Sequence, residues 1–404
     1  MYKRQALSLP VDYIQSVTAF GPEGKKLIRD LAPKGQVVIN DESGRDGANA
    51  RGAVARLDVP GHGVAQIIAE ITGAASAFHS EPVVLSGNDA AVLADNPFVR
   101  QWRAAPPDAV VLQTTARRSL RESGFGITSW SSADRPLPLW LGRKFDVHGH
   151  MVAALKRASG HNLLALGSET GMRLCMLANG VASLRSMRPM DDCDVLLLDG
   201  LSEGQPGAGM LSVALDALRD AGARVQRAVP DSAAAALEQF AATALQPRNP
   251  EAVRLLILSE PEYFPALAAP AGYGSPAVGP SRVFKDLLRS GPQMGAHAIV
   301  TASGLGALSS VLNPSPTRDG ALFNHRALQQ TNEEESMTMA SSMAATRIFA
   351  QTNHHMAALY VDTVQGARMA QLFKAYAASP NIYGDQSATG LRDALDSLFR
   401  RGPQ

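Results

Sequence analysis

The stretch GSETGMRL, residues 167 to 174, has the length of the phosphate-binding loop pattern G-x-x-x-x-G-K-[ST] and begins with its first glycine. A short apolar run, residues 163 to 166, precedes it, and a helix-compatible stretch follows. In such a loop, backbone N–H groups wrap the phosphates, a lysine reaches the β- and γ-phosphates, and a hydroxyl holds magnesium. The stretch therefore predicts either a nucleotide site or an ordinary turn from strand to helix.

Three positions of this loop depart from that chemistry. Met172 replaces the glycine that allows close approach, Arg173 replaces the lysine, and Leu174 replaces the hydroxyl residue. Arginine keeps the positive charge in a planar fork instead of a compact ammonium, and leucine cannot ligate magnesium. The turn is therefore favoured over a competent ATP site, with weak, magnesium-independent ATP binding as the alternative. The candidate cofactor-binding residues are Gly167, Ser168, Glu169, Thr170, Gly171, Met172, Arg173 and Leu174.

Acidic residues follow two apolar runs. The run 253 to 258 ends in Ser259 and Glu260, and by itself Glu260 predicts an ordinary polar residue at a strand end. Asp199 ends another apolar run, where it predicts either a ligand contact or a solvated carboxylate.

Composition limits the classes of function. The chain has 404 residues, 45% hydrophobic and 19% charged, which indicates a soluble protein of two or three domains. The net charge of +1 means that nucleic-acid binding would need a local basic patch. Arg282, Lys285 and Arg289 lie at spacings of 3, 4 and 7 on one predicted helix, so they are candidate DNA contacts or a solvated face.

Cysteine and histidine usage indicates no metal site. Cys175 and Cys193 lie far from C-x-x-C spacing, and the histidine pairs at 148 and 150 and at 354 and 355 lack further ligands at metal-binding spacing. We predict a cytoplasmic protein, because the chain has neither a signal-peptide pattern nor an apolar run long enough to span a bilayer.

Strand and helix patterns alternate from residue 161 onward, which predicts a doubly wound α/β domain with a mostly parallel sheet. Predicted strands are 161–166, 194–199, 223–229, 253–259, 296–302 and 356–361. Predicted helices are 172–187, 209–221, 231–245, 281–290 and 332–344, and the stretch 366–376 also has helical spacing. The first 60 residues predict strands and turns, with a strand at 35–40, a turn at 41–52 and a return strand at 53–59; a helix is predicted at 63–78 and an exposed Gly/Pro loop at 269–281.

Ordered motifs between residues 135 and 376 resemble the motor domain of the FtsK/SpoIIIE group of P-loop ATPases. LPLWLGRKFDVHG (137–149) is similar to the entry of that domain, and RLLILSEPEYF (254–264) to its Walker B strand. That strand ends in one acid that holds magnesium and another that orients water, and this chain has Ser259 and Glu260 there. The resemblance therefore implies Glu260 as the one candidate catalytic residue. FKDLLRSGPQMGAHAIVTAS (284–303) and LFNHRALQQTNEEESMTM (322–339) resemble its later helices and strands. Where members carry Gly-Arg and Thr-Gln pairs, this chain has Pro292 and Ala302-Ser303.

The resemblance implies a RecA-like P-loop fold and a tandem arrangement. Residues 20–57 resemble the closing hairpin of another motor module, so we predict the tail of a preceding module at 1–60. A connecting segment at 61–134, a degenerate module at 135–380 and a C-terminal tail at 381–404 then follow.

The resemblance also implies function and partners. The first hypothesis is the C-terminal part of a DNA translocase, in which this module serves assembly, regulation or DNA gripping while upstream modules hydrolyse ATP. Its partners would be those modules, double-stranded DNA and further copies in a hexameric ring. The second hypothesis is a module of a type VII secretion-like export ATPase that binds peptides, and the third is a weakly active ATPase.

Overall fold

The computed structural model describes most of the chain after residue 135 and shorter stretches before it. The described residues are 4–7, 20–31, 35–40, 45–53, 70, 73, 89–96, 99, 136–145, 149–186, 190–246, 252–268, 277–315, 317–363, 369–380 and 386–399. They fall into two compact units, Met1–Val83 and Val84–Gln404. The domain limits predicted from the sequence stay predictions.

The smaller unit is built from antiparallel strands and a helix. Strands β1 (Arg4–Leu7), β2 (Gln36–Asn40) and β3 (Asn49–Ala53) lie in that order, and helix α1 (Pro22–Arg29) packs beside them. Its core is Phe20, Ile28, Leu31 and Val38. The predicted strand at 35–40 is confirmed.

The return strand of this hairpin begins earlier than predicted, at residue 49, because β3 pairs with the whole length of β2 from Asn40↔Asn49 to Gln36↔Ala53. Residues 54–60, most of the predicted helix at 63–78 and residues 269–276 of the Gly/Pro loop lie outside the described residues.

The larger unit contains one mixed sheet. Its strands are β4 (Ala91–Val92), β5 (Leu137–Lys144), β6 (His150–Leu155), β7 (Leu163–Leu166), β8 (Cys193–Asp199), β9 (Arg224–Ala228), β10 (Val253–Ser259), β11 (Ala296–Ala302), β12 (His325–Leu328), β13 (Ala357–Asp362) and β14 (Met369–Ala377). The order β9-β8-β10-β11-β7-β12 is parallel throughout, and β13, β14, β5 and β6 continue it antiparallel, with β4 beside β14. The predicted mostly parallel α/β sheet is confirmed.

Helices cover both faces of this sheet. They are α2 (Thr170–Ala182), α3 (Met210–Arg219), α4 (Ala233–Ala244), α5 (Gly279–Ser290), α6 (Leu305–Ser309), α7 (Glu333–Ala340), α8 (Ile348–Thr352) and α9 (Ala388–Phe399). Alternate residues of β10 enter two different cores: Leu255 and Ile257 pack in the core with α2, α3 and α9, whereas Leu256 and Leu258 pack in the core with α4 to α8. Burial on both faces explains why the strands are continuous apolar runs.

The stretch 366–376 was predicted as helical, and this prediction is wrong. Residues 369–377 form β14, which pairs antiparallel with β13 and β5. The apolar residues of so short a run fit the spacing of a helix as well as that of a strand, and pairing with two neighbouring strands favours the strand.

The segment predicted as a C-terminal tail contains α9, which buries Leu391, Leu395 and Leu398 in the core of the larger unit. No helix within the described stretches is long and apolar enough to cross a bilayer.

A hydrogen-bonded chain of buried side chains lies near the amino-terminal ends of β7 and β12. The Lys156 N–H donates to His161 Nδ1 (3.1 Å), so that nitrogen is an acceptor and His325 Nε2, 2.9 Å away, carries the shared proton. His325 Nδ1 then accepts from the Tyr360 hydroxyl at 2.7 Å. Burial, reinforced by His161 and by His297, lowers the pKa of His325 well below its ordinary value of 6.5.

Acidification should therefore destabilise the larger unit through His325. Because the unfolded chain takes up this proton more readily, the contribution of neutral His325 is fully present above about pH 6.5 and is lost as the pH falls towards the folded pKa, by at most ~1.4 kcal/mol per pH unit. Urea unfolding across this range should show a steeper loss in the wild type than in His325→Gln, which keeps a donor and an acceptor but does not titrate. Equal slopes would assign the pH dependence to other groups.

Candidate functional site

The candidate site lies at the carboxyl ends of β7, β10, β11 and β12, where a parallel sheet gathers polar groups from distant segments. After β7 the chain turns through Gly167, Ser168 and Glu169 and enters α2 at Thr170. The Arg173 N–H already donates to the Glu169 carbonyl at 3.0 Å, which is a helical hydrogen bond. The loop is therefore three residues long, and the rest of the predicted phosphate-binding frame belongs to the helix.

Three N–H groups at this turn, those of Gly167, Glu169 and Thr170, have acceptors within the protein. The Gly167 N–H donates to Ala302 O (3.2 Å), and the Thr170 N–H donates to Ser168 O (3.0 Å). A phosphate-binding loop instead directs such N–H groups at the anion. Here these N–H groups instead donate to oxygen atoms of the protein itself.

Gln329, the residue after β12, holds the loop by its side-chain amide. Its Oε1 accepts from the Glu169 N–H and its Nε2 donates to the Glu169 carbonyl, both at 2.9 Å. Gly167 has φ +153°, and a Cβ there would collide with Gln329, so this glycine is required by both backbone angle and space. Gln329 thus occupies both backbone hydrogen-bonding groups of Glu169.

Arg173 is fully buried and fills the space beneath the loop. Its Nε donates to Thr301 Oγ1 at 2.7 Å, one terminal nitrogen donates to the Gly167 carbonyl, and the other forms an ion pair with Glu260. The guanidinium therefore joins the ends of β7, β11 and β10 with charge-assisted hydrogen bonds.

The backbone of Glu260, the partner of this guanidinium, is strained. Its φ of 52° and ψ of 71° lie in the left-handed region, which costs a non-glycine residue about 1–3 kcal/mol unless its surroundings enforce it. The Glu260 N–H donates to Thr301 O at 3.0 Å, and Tyr263 N–H donates to Glu260 O at 3.2 Å. Burial raises the pKa of the Glu260 carboxyl, although the ion pair with Arg173 opposes the rise.

Further groups make this edge of the sheet acidic. Asp199 ends β8 and accepts from the Leu201 N–H at 3.2 Å, and burial raises the pKa of its carboxyl. The charges of Glu262 and Asp199 both raise the pKa of Glu260 further. Ser259 stands at the position where hydrolysis would need a magnesium ligand, and its buried hydroxyl has no hydrogen-bond partner among the described residues.

The residues on either side of Arg173 in α2 are apolar and buried. Met172 and Leu174 belong to the core of α2, α3 and α9, so the side chain at the magnesium-ligand position lies in that core. Gly207 lies against this region: a Cβ on it would stand 2.8 Å from Leu174 Cδ1 and 3.4 Å from Thr170 O. The Gln386 side chain lies equally close to Gly171.

These residues do not fit a magnesium nucleotide. The loop is short, its Gly167 and Glu169 N–H groups already have acceptors within the protein, and Arg173 is paired with Glu260. The motif positions of the metal-binding hydroxyl and acid are Leu174 and Ser259, and leucine cannot ligate magnesium. No group of three or more His, Cys, Asp or Glu side chains suited to a metal ion occurs in the described part of the chain. Of the predicted residues, the structure brings Gly167, Arg173 and Glu260 together, whereas Met172 and Leu174 point away.

Sequence reasoning did not identify Thr301 and Gln329. The resemblance placed polar residues at Ala302-Ser303, one position after Thr301. A usable signal was the single hydroxyl residue of the strand AHAIVTA, at its next-to-last position. Gln329 had no such signal, because its contact with Glu169 joins residues 160 positions apart.

The candidate DNA contacts lie on α5, and carboxylates face each of them. Lys285 Nζ is 3.1 Å from Asp319 Oδ2, and Arg289 is 4.0 Å from Asp319 Oδ1. Arg282 is 3.6 Å from Asp286. Arg282 and Arg289 expose 73% and 58% of their side chains, against 15% for Lys285, so the two arginines are the solvent-facing part of the stripe.

No family model matches the sequence, and no curated protein matches it significantly. Among solved structures, the chain is similar to the cytoplasmic domain of the type VII secretion ATPase EccC of Thermomonospora curvata, with 14% identity, a TM-score of 0.45, and coverage of 68% of this chain and 32% of that one. ATPases 2 and 3 of the same EccC, in complex with a signal sequence peptide, give 14% identity and a TM-score of 0.44, with 88% and 56% covered.

A third similar structure is the genome packaging NTPase B204 of Sulfolobus turreted icosahedral virus 2 in complex with ATP-gammaS. It gives 10% identity and a TM-score of 0.34, with 53% of this chain and 97% of that one covered. The chain thus spans about a third to a little over half of the EccC chains.

A double-mutant cycle should reveal strong coupling between Arg173 and Glu260. Arg173→Met or Glu260→Gln alone leaves a buried charge unpaired and should cost about 3–5 kcal/mol, whereas the double variant should lose less than the sum by about 2–3 kcal/mol. Urea unfolding measures all four proteins. The control cycle uses the exposed pair Arg224 and Asp194, with Met and Asn, where the coupling should stay below about 1 kcal/mol. Similar coupling in both cycles would show that the buried pair has no special role.

Proposed function

We propose that the larger unit is an FtsK/SpoIIIE-like P-loop ATPase module that does not hydrolyse ATP. Its role would be assembly, regulation or DNA gripping beside catalytic modules of the same machine. The observation that supports this proposal is the Arg173–Glu260 ion pair, because it joins the candidate catalytic residue to the candidate phosphate-binding cation. An arginine held by its own carboxylate is not available to a γ-phosphate, and a carboxylate held by an arginine does not orient water.

The loop supports the same proposal independently of the charges. Phosphoryl transfer depends on positioning and on electrostatic stabilisation of the phosphates, both of which come from a wrapped loop, a lysine and a metal. Here the loop is closed by Gln329, and Leu174 occupies the position of the metal-binding hydroxyl. The described residues of this unit therefore lack the loop conformation and the metal-binding hydroxyl on which magnesium-dependent catalysis depends.

The purified chain should show no ATP turnover, because neither magnesium nor the γ-phosphate has a ligand in place. Phosphate release with ATP and magnesium is the measurement, and Glu260→Ala is the matched control, since turnover that persists in it comes from a contaminant. Calorimetric titration with ATP should show at most weak binding that magnesium does not change. Turnover that disappears in Glu260→Ala would overturn the proposal.

DNA gripping is the part of the proposal that α5 can test. With two solvent-facing arginines, we expect weak, sequence-independent duplex binding at low salt, with a slope of log K against log salt of about −2. Arg282→Ala/Arg289→Ala should remove this binding in fluorescence anisotropy. Arg219→Ala/Arg224→Ala removes two exposed arginines elsewhere and should leave it unchanged.

Equal loss in the two variants would mean that the net charge of the protein, and not α5, attracts the duplex. Absence of duplex binding at every salt concentration would remove DNA gripping from the proposal and favour a protein partner.

A further inference from the structure

The Arg173 guanidinium has the contacts of a bound ligand. It is 0% exposed, and its partners come from three neighbouring strand ends: the Gly167 carbonyl, the Thr301 hydroxyl and the Glu260 carboxylate. In open α/β sheets, the crevice at the carboxyl ends of the strands is where an external ligand usually makes such contacts. In this chain a side chain makes them.

We propose that Arg173 is an intramolecular ligand that keeps the carboxyl edge of the sheet permanently closed. This inference rests on the proposed non-hydrolysing role and adds the regulation of the same site: the sequence itself, and not a nucleotide, sets the conformation of the crevice. The unit then keeps one state while neighbouring catalytic modules pass through theirs. Arg173 acts here as a positioning residue.

The proposal predicts the chemistry of the space that Arg173 leaves behind. Truncation to alanine would remove the guanidinium and leave a carboxylate, a carbonyl and a hydroxyl directed at one cavity. Cavities made by truncation in a packed interior can bind small molecules that match their lining. A lining of oxygen acceptors around one negative charge matches a planar cation with several N–H donors. The matching class of ligand is therefore a guanidinium ion.

The test is chemical rescue of Arg173→Ala. Its Tm should lie well below that of the wild type, and millimolar guanidinium or ethylguanidinium should raise it along a saturating curve, because a ligand that binds only the folded state stabilises it. Sodium chloride and urea at equal concentrations should not raise it. Neither the wild type nor Arg173→Ala/Glu260→Gln should show the rise, since one has no cavity and the other no carboxylate. A Tm of Arg173→Ala that guanidinium leaves unchanged or lowers would overturn the proposal.

If Arg173→Ala does not fold, the variant Arg173→Lys tests the same proposal. Lysine keeps a charge for Glu260 but lacks the fork that reaches three acceptors. Hydrogen exchange should then accelerate at the Gly167 and Glu260 amides, which donate to Ala302 O and Thr301 O, relative to amides in the middle of β10. Exchange as slow as in the wild type would contradict the proposal. ATP turnover by the wild type would refute the proposed function whatever the rescue shows, whereas failed rescue in an inactive wild type refutes only this inference.

Discussion

The buried ion pair between Arg173 and Glu260 sets the conditions that the rest of the site has to meet. Moving two charges out of water is costly, and the pair persists only if both ends find further hydrogen bonds in a dry setting. The Thr301 hydroxyl and the Gly167 carbonyl provide those bonds to Arg173, and the pair is dry, with 0% and 5% of its two side chains exposed. The arginine at the lysine position is thus more than a lost ligand, because it pairs three strand ends with one another.

The architecture brings these residues together without regard to their chemistry. In a doubly wound sheet, every loop after a parallel strand opens at the same edge, so residues far apart in sequence meet there. Here Gly167, Glu260, Thr301 and Gln329 all reach that edge. In a crevice that is open to a ligand, such groups would form hydrogen bonds with that ligand. In this chain they pair with one another or with the loop after β7.

The strands and helices of the larger unit could be predicted because their patterns are local. Continuous apolar runs gave β8, β10 and β11 almost to the residue, since burial on both faces removes alternation. β14 was assigned to the wrong class because its pairing with β13 and β5 is not local. The predicted frame located Arg173 and Glu260, but not their mutual contact. That contact depends on the loop after β7 being only three residues long. No local sequence pattern distinguishes such a short loop from a longer phosphate-binding loop.

In the closed arrangement, a single change back to a residue of the phosphate-binding motif is unfavourable. A serine in place of Leu174 would put a hydroxyl into an apolar core, and an aspartate in place of Ser259 would bring another negative charge to an edge that already holds Glu260 and Asp199. A lysine in place of Arg173 would still face Glu260 and would leave acceptors unpaired. Only a concerted change, including a longer loop released from Gln329, would reopen the crevice. The contacts of Arg173 with Glu260 and of Gln329 with Glu169 therefore join distant positions into one alternative structure of the same sheet edge.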